Sequence, residues 1–258
     1  MKKLLLLSLF GLGARTLFGG PPMPEPRASM NISPWTGFYA GVSGGYSRIQ
    51  TDPRLGLGGG FNQLPPELVG NLEERGSGNF DFDGGQLGGL IGFNYQLGHL
   101  VVGLEGTGAY LWARDSRSTG ALLIGQGAPP LEIRSSFKTN YLFTVGPRVG
   151  FAFGRVMPYV TGGLAVGDLD WSQDLRVVGD PTGTHAGGRT SETNVGWMVG
   201  GGVEYALTDH WHARVQYQYV DLGSVDFGSE VTTQPGFLAN HSAALVEHNA
   251  TFALIYKF

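Results

Sequence analysis

No cysteine occurs among the 258 residues, which excludes disulfides, thiolate nucleophiles and thiolate metal ligands. Charged side chains make up only 15% of the chain and the net charge is −4. That balance offers no basic surface to a phosphate backbone, so nucleic acid is excluded as an expected partner. Past residue 30 no apolar run approaches the roughly 18–20 residues that a membrane-crossing helix needs. Only a closed barrel of strands could then cross a membrane, because lipid offers the backbone no outside hydrogen-bond partner. Nucleotide-binding glycine signatures, a Walker sequence and a G-x-S-x-G elbow are all missing. The six histidines are scattered without metal-ligand spacing. The expectation is therefore no cofactor, no metal and no catalytic set.

Glycine and aromatic side chains are abundant instead. The 44 glycines are about twice the usual share, without the G-X-Y period of collagen. Aromatics reach 12%. Glycine permits tight curvature and aromatics coat an apolar outer face, a pairing suited to a barrel. At the start, Lys2 and Lys3 precede an apolar run from Leu4 to Leu12. This predicts a secretory leader over residues 1–20, cleaved somewhere between Ala14 and Ala28. Residues 21–34 are proline-rich and polar and read as an extended linker. The barrel is expected over residues 35–258.

Eight segments in that region alternate with period two. They run over about 35–49, 83–96, 100–112, 136–153, 158–171, 191–207, 211–221 and 244–258. In the second, Leu87, Ile91, Phe93 and Tyr95 oppose Gln86, Gly88, Gly92 and Asn94. In the fourth, Phe137, Tyr141, Phe143, Val145, Val149 and Phe151 oppose Lys138, Asn140, Thr144 and Arg148. Each segment has the ten or so residues that a tilted strand needs to cross a bilayer. Tight connections around Gly98, Gly154 and Asp209 alternate with long ones over 50–82, 113–135, 172–190 and 222–243. Alternating short turns and long loops is the outer-membrane barrel pattern, with the turns in the periplasm. The predicted fold is thus all-β: an eight-stranded antiparallel up-and-down transmembrane barrel with four long extracellular loops.

Periodicity alone does not say which face is outside. A soluble barrel would turn the apolar face inward, but the interior of an eight-stranded barrel is narrow. The apolar face here carries too many large aromatics to fit there. Trp35, Trp112, Trp171, Trp211 and Phe258 also fall near segment ends, where interfacial girdles belong. Apolar side chains are accordingly expected to face lipid, and small polar ones the lumen.

The stretches WTGFYAGVSGGY (35–46), PYVTGGLAVG (158–167), NVGWMVGGGVEYALTDHW (194–211) and ARVQYQYVDLG (213–223) resemble the porin-family outer-membrane proteins of alphaproteobacteria. These are related in architecture to the opacity proteins and the outer-membrane protein A barrel. The resemblance covers about residues 35–258. It implies a role in envelope integrity, surface antigenicity or modest permeability. The ending TFALIYKF is similar to the terminal assembly signal of such barrels, with Phe252, Leu254, Tyr256 and Phe258 at alternate positions. The implied partners are outer-membrane lipid and lipopolysaccharide, the barrel-assembly machinery during insertion, and an unnamed extracellular ligand.

Four charged residues, Glu105, Arg148, Glu204 and Arg214, share the inward parity. Charges confined in a narrow lumen must pair, so these four form a candidate cluster, either structural or gating. His241-Ser242, Glu247-His248 and Asp209-His210 are the remaining residues of catalytic type. His241 and Ser242 lie in or beside a loop and His248 has the outward parity, which argues against a hydrolase triad, and Asp209-His210 falls in a periplasmic turn away from external substrate. The expected function is a surface barrel with at most a narrow pore. A small diffusion porin and a loop-mediated adhesin or receptor are the alternatives.

Overall fold

The computed structural model describes residues 35–120, 130–179, 185–231 and 236–258. The leader and linker expected over residues 1–34 lie outside these. Eight strands follow one another: β1 (Gly37–Gly59), β2 (Phe80–Leu97), β3 (Leu100–Ser118), β4 (Leu131–Phe151), β5 (Val156–Val177), β6 (His185–Ala206), β7 (Trp211–Glu230) and β8 (Phe237–Lys257). Every strand pairs antiparallel with its sequence neighbours, and β8 pairs back to β1, closing the ring. No helix of the described residues is long and apolar enough to cross a membrane.

One end of the barrel is made of tight turns. Leu97 pairs directly with Leu100 around Gly98 and His99. Phe153 and Val156 exchange backbone hydrogen bonds of 2.8 and 3.2 Å around Gly154 and Arg155. At the other end the connections cover 60–79, 119–130, 178–184 and 231–236. These are shorter than the sequence pattern suggests, because the strands run on. They are 18–23 residues long, roughly twice the 9–11 that a bilayer crossing needs.

The two halves of each strand have opposite chemistry. Toward the turn end, large apolar side chains face outward in a continuous belt, including Phe38, Leu87, Ile91, Leu104, Phe143, Val160, Leu164, Val199, Val215, Tyr217 and Leu254. Val199 is 48% exposed and Tyr217 51%, while their neighbour Gln216 is only 6% exposed. Apolar residues therefore face out and polar ones in, as a lipid-embedded barrel requires. Farther from the turns the polarity inverts. Ile49, Phe80, Phe82, Phe137, Leu169, Trp171, Val220, Leu222 and Leu245 pack into one core inside the ring. The outward positions beside them are polar and charged, as with Arg48, Asp81, Arg134 and Asp174. This half behaves as a water-soluble barrel standing on the membrane-embedded one.

Two bulges help the sequence make that inversion. In β4, Lys138 pairs with Asp170 and Leu142 with Gly167, so β4 carries one extra residue between them. The Asp168 carboxylate accepts both freed backbone N–H groups, from Asn140 and Tyr141, at 2.8 Å each. Inward positions consequently switch from even numbers (Thr144, Arg148) to odd ones (Phe137, Thr139). In β7 an extra residue lies between Asp221 and Ser224, and Gly223 there adopts φ 74°, a conformation that glycine reaches without strain. Inward positions change from Leu222 to Val225.

These features correct three placements expected from the sequence. Phe137 lies inside rather than on the lipid face, because the β4 bulge flips its parity. Trp171 and Trp35 belong to no girdle: Trp171 is wholly buried in the upper core, and Trp35 packs with Val101, Ala152, Met157 and Ala206 in the floor. Trp112, Trp211 and Phe258 do sit outside, at 57%, 44% and 73% exposure.

The outer mouth is covered. Helix α1 (Pro66–Gly76) turns Leu72 into a cluster with Leu55, Leu57, Phe61, Ile133, Leu175 and Ala239. Proline just inside its start and Arg75 in its last turn suit the helix ends. Beyond Thr51, β1 no longer pairs with β2. Its free edge donates instead to Ser77 Oγ from the Leu55 N–H (2.9 Å) and to Glu73 Oε1 from the Leu57 N–H (2.7 Å). An otherwise exposed strand edge is thereby protected.

Candidate functional site

The four charges singled out from the sequence come together in one buried layer, each delivered by a different strand: Glu105 by β3, Arg148 by β4, Glu204 by β6 and Arg214 by β7. Arg148 donates to Glu105 (3.2 Å) and Glu204 (3.0 Å). Arg214 reaches the same two carboxylates at 2.7 and 2.9 Å. All four side chains are 5% exposed or less. Two guanidinium and two carboxylate groups cancel, which is the condition for holding charges away from water.

Sequence reasoning missed the residues that complete the layer. Tyr39 donates its hydroxyl to Glu105 at 2.7 Å and accepts from Arg148 at 3.0 Å. The Arg148 guanidinium lies 4.0 Å from the Tyr159 ring centre, a favourable cation–aromatic contact in a dry site. Tyr159 donates to Gln216 at 2.5 Å. His212 Nδ1 bonds Glu204 at 2.8 Å, and Trp35 meets the His212 ring edge-on at 5.0 Å. The inward parity of Tyr39 and Tyr159 was a usable signal, because a large ring in a narrow lumen must be matched by small residues around it. A side-chain carbon on Gly92 would lie 2.3 Å from the Tyr39 hydroxyl, and one on Gly202 would lie 3.0 Å from that of Tyr159. Part of the glycine excess thus makes room for these rings.

Above this layer the lumen remains filled. Thr107 and Thr144 share a hydrogen bond of 2.7 Å, and Gln86 donates to Asn249 at 3.2 Å. Then comes the aromatic core, where Phe137 stacks on Trp171 at 5.4 Å and Phe227 meets Trp171 edge-on at 4.7 Å. Floor, charge layer, polar layer, aromatic core and helical cover follow one another along the axis.

His241 stands at the outer border of the aromatic core, stacked on Phe227 at 4.4 Å. Its Nδ1 lies 2.6 Å from Gln173 Oε1 and its Nε2 lies 2.9 Å from Ser229 Oγ. The Gln173 oxygen only accepts, so Nδ1 carries the proton and Nε2 accepts from Ser229. Burial pushes the imidazole pKa down to about 4. The expected loop position for His241 and Ser242 is corrected, since both are in β8, and alternation turns His241 inward and Ser242 outward. Glu247 faces inward and His248 outward, where His248 contacts Tyr217 (2.6 Å) and Gln50 (3.1 Å). Strand geometry thus separates the groups that a triad would need on one side. Among the described residues no three His, Asp or Glu side chains converge as a metal site.

Phe252, Leu254, Tyr256 and Phe258 form an outward apolar row on β8 and just past it. Trp211 meets Tyr256 edge-on at 5.1 Å.

Residues 27–258 match the family described as outer membrane protein beta-barrel domain. The chain is 30% identical over 266 residues to the 31 kDa outer-membrane immunogenic protein of Brucella melitensis, covering all of both chains. It is 28% identical to the 22 kDa outer membrane protein of Rhizobium leguminosarum over 194 residues, covering 75% of this chain and 67% of the relative. Among solved structures, the outer membrane protein OprG of Pseudomonas aeruginosa aligns with 11% identity and a TM-score of 0.43, covering 87% of this chain and 98% of that one.

Proposed function

Because the chain belongs to the outer membrane protein beta-barrel domain family and resides in the outer membrane of a Gram-negative bacterium, we propose that it is a sealed, non-catalytic surface barrel. It anchors itself by the apolar belt, contributes to envelope integrity and presents its outer half for surface interactions. The filled lumen carries this reading. A buried ion-paired layer and a dry aromatic core lie in series along the axis, and eight strands leave little room for water beside them.

Purified barrel in planar bilayers is expected to give no discrete conductance steps. Regular open events from the native protein would replace this reading with a small diffusion porin. Lipid and lipopolysaccharide are the partners of the belt. We assign the outward row Phe252, Leu254, Tyr256 and Phe258 to recognition by the barrel-assembly machinery, through strand-edge pairing during insertion. Replacing all four with serine should leave the unfolded chain in the periplasm, and normal insertion of that variant would refute the assignment.

The Brucella relatives are named as immunogenic. In this chain we assign surface display to the polar outer half, where Arg48, Asp81, Arg134 and Asp174 face outward. Antibodies raised against folded protein should label intact cells, and labelling only after permeabilisation would refute surface display.

A further inference from the structure

We infer that the outer mouth of the barrel holds a binding site for a small oxyanion-bearing sugar, built around Arg75 and Arg117. A cavity of about 210 Å³ opens between the end of α1, the start of β2 and the outer ends of β3 and β4. Both arginines line it, and no acidic residue does. The inference is separate from the sealing of the lumen, since this cavity lies at the mouth.

The side chains around the cavity donate hydrogen bonds and have few acceptors to spare. Arg117 is held with its guanidinium 4.4 Å from the centre of the Phe80 ring. That contact fixes the cation over the ring, and among the described residues no ion pair engages its N–H groups. Ser77 Oγ already accepts from the Leu55 N–H, and Ser135 Oγ accepts from Gln173 Nε2 at 3.0 Å. Each hydroxyl therefore keeps its own proton to give. The amide of Asn79 adds two more donors.

Two carbonyl acceptors at the rim are already engaged, and the exposed Glu74 beside Arg75 does not line the cavity. The Gly76 carbonyl takes Gln173 Nε2 at 3.0 Å, and the Pro53 carbonyl takes the Gly78 N–H at 3.0 Å. Glu132, just outside the cavity, is occupied by Ser118, Arg134 and Arg176. Asp115 lies along β3 from Arg117, but no ion pair joins them and Asp115 does not line the cavity.

Two guanidinium groups with serine and amide donors match the chemistry of phosphate, sulfate or carboxylate oxygens. The volume exceeds that of a bare anion yet falls below the usual range for drug-sized ligands, about 300–1,000 Å³. A monosaccharide carrying one such group fills it.

The test is calorimetric titration of the full folded barrel in a neutral detergent at low salt, with glucose 6-phosphate, glucuronate, inorganic phosphate and glucose as probes. At least one of the two anionic sugars should bind ten-fold or more tighter than glucose. The phosphate and carboxylate arms then tell which group the site prefers, and inorganic phosphate shows whether the sugar contributes. Arg75→Gln with Arg117→Gln should weaken that binding at least ten-fold. Arg75→Lys with Arg117→Lys should retain part of it. Gel mobility without heating verifies the fold of each variant. If the glutamine pair fails to fold, Asn79→Ala with Ser77→Ala replaces it, with a smaller loss expected. Equal binding of glucose and both anionic sugars, or undiminished binding in a folded variant, overturns the site.

Discussion

Removing Arg148 tests whether the charge layer acts as a balanced unit. Arg148→Ala deletes three hydrogen bonds, to Tyr39 (3.0 Å), Glu105 (3.2 Å) and Glu204 (3.0 Å), and the contact with the Tyr159 ring at 4.0 Å. Two carboxylates then share Arg214 alone, and the layer carries one uncompensated negative charge. Taking one partner from a buried pair costs about 3–5 kcal/mol. Arg214 still holds both acids at 2.7 and 2.9 Å, which argues for the lower end, about 3 kcal/mol. With a urea dependence of about 1–3 kcal/mol/M, the unfolding midpoint should fall by roughly 1–3 M.

The assay is urea unfolding of the barrel in lipid vesicles, followed by tryptophan fluorescence and unheated gel mobility. Arg148→Met combined with Glu105→Gln restores neutrality and should recover at least half of the loss. Arg148→Glu sets three acids against one arginine and should be worse than the alanine variant. If Arg148→Ala shifts the midpoint by less than about 0.3 M, or if the balanced double variant is no more stable than the single one, charge compensation is not what holds this layer. If Arg148→Glu opened large channels without lowering the midpoint, the layer would be a gate rather than a structural unit.

Three further outcomes follow from the outer half. The His241 imidazole is neutral when folded, with its pKa lowered to about 4 by burial, whereas the unfolded chain protonates near 6.5. The folded state therefore binds fewer protons between these values, so stability should be intact above pH 6.5 and decline as pH falls toward 4. His241→Asn should flatten that part of the profile, and an unchanged slope would contradict the assignment. Asp168→Ala leaves the Asn140 and Tyr141 N–H groups at the β4 bulge without their acceptor. A loss of about 1–3 kcal/mol is expected, with faster amide exchange at residues 140–141; unchanged exchange there would show that the cap is dispensable. Trp171→Ala empties the centre of the aromatic core and should cost about 3–5 kcal/mol. A girdle tryptophan facing lipid, such as Trp112, should lose clearly less on the same change.

The barrel and its lower half are legible from the order of residues alone. Strict alternation over ten or more residues marked eight strands, and the sequence of tight and long connections fixed their up-and-down order. In the membrane-embedded half, Trp35 apart, the inward and outward assignments follow from simple parity, because lipid outside and a cramped polar lumen inside act on every strand alike. The charges of Glu105, Arg148, Glu204 and Arg214 were legible for the same reason, since four ionised groups on one interior must find one another. The upper half becomes legible only in the folded ring. There the solvent outside changes from lipid to water, so the apolar face must turn inward. In β4 and β7 the chain does this with one extra residue at a bulge. A single inserted residue reverses parity without leaving any composition signal, which is why Phe137 reads as lipid-facing from its neighbours. Trp171 belongs to the same region. The cavity at Arg75 and Arg117 was equally hidden, because residues from α1, β2, β3 and β4 meet there only once the ring has closed.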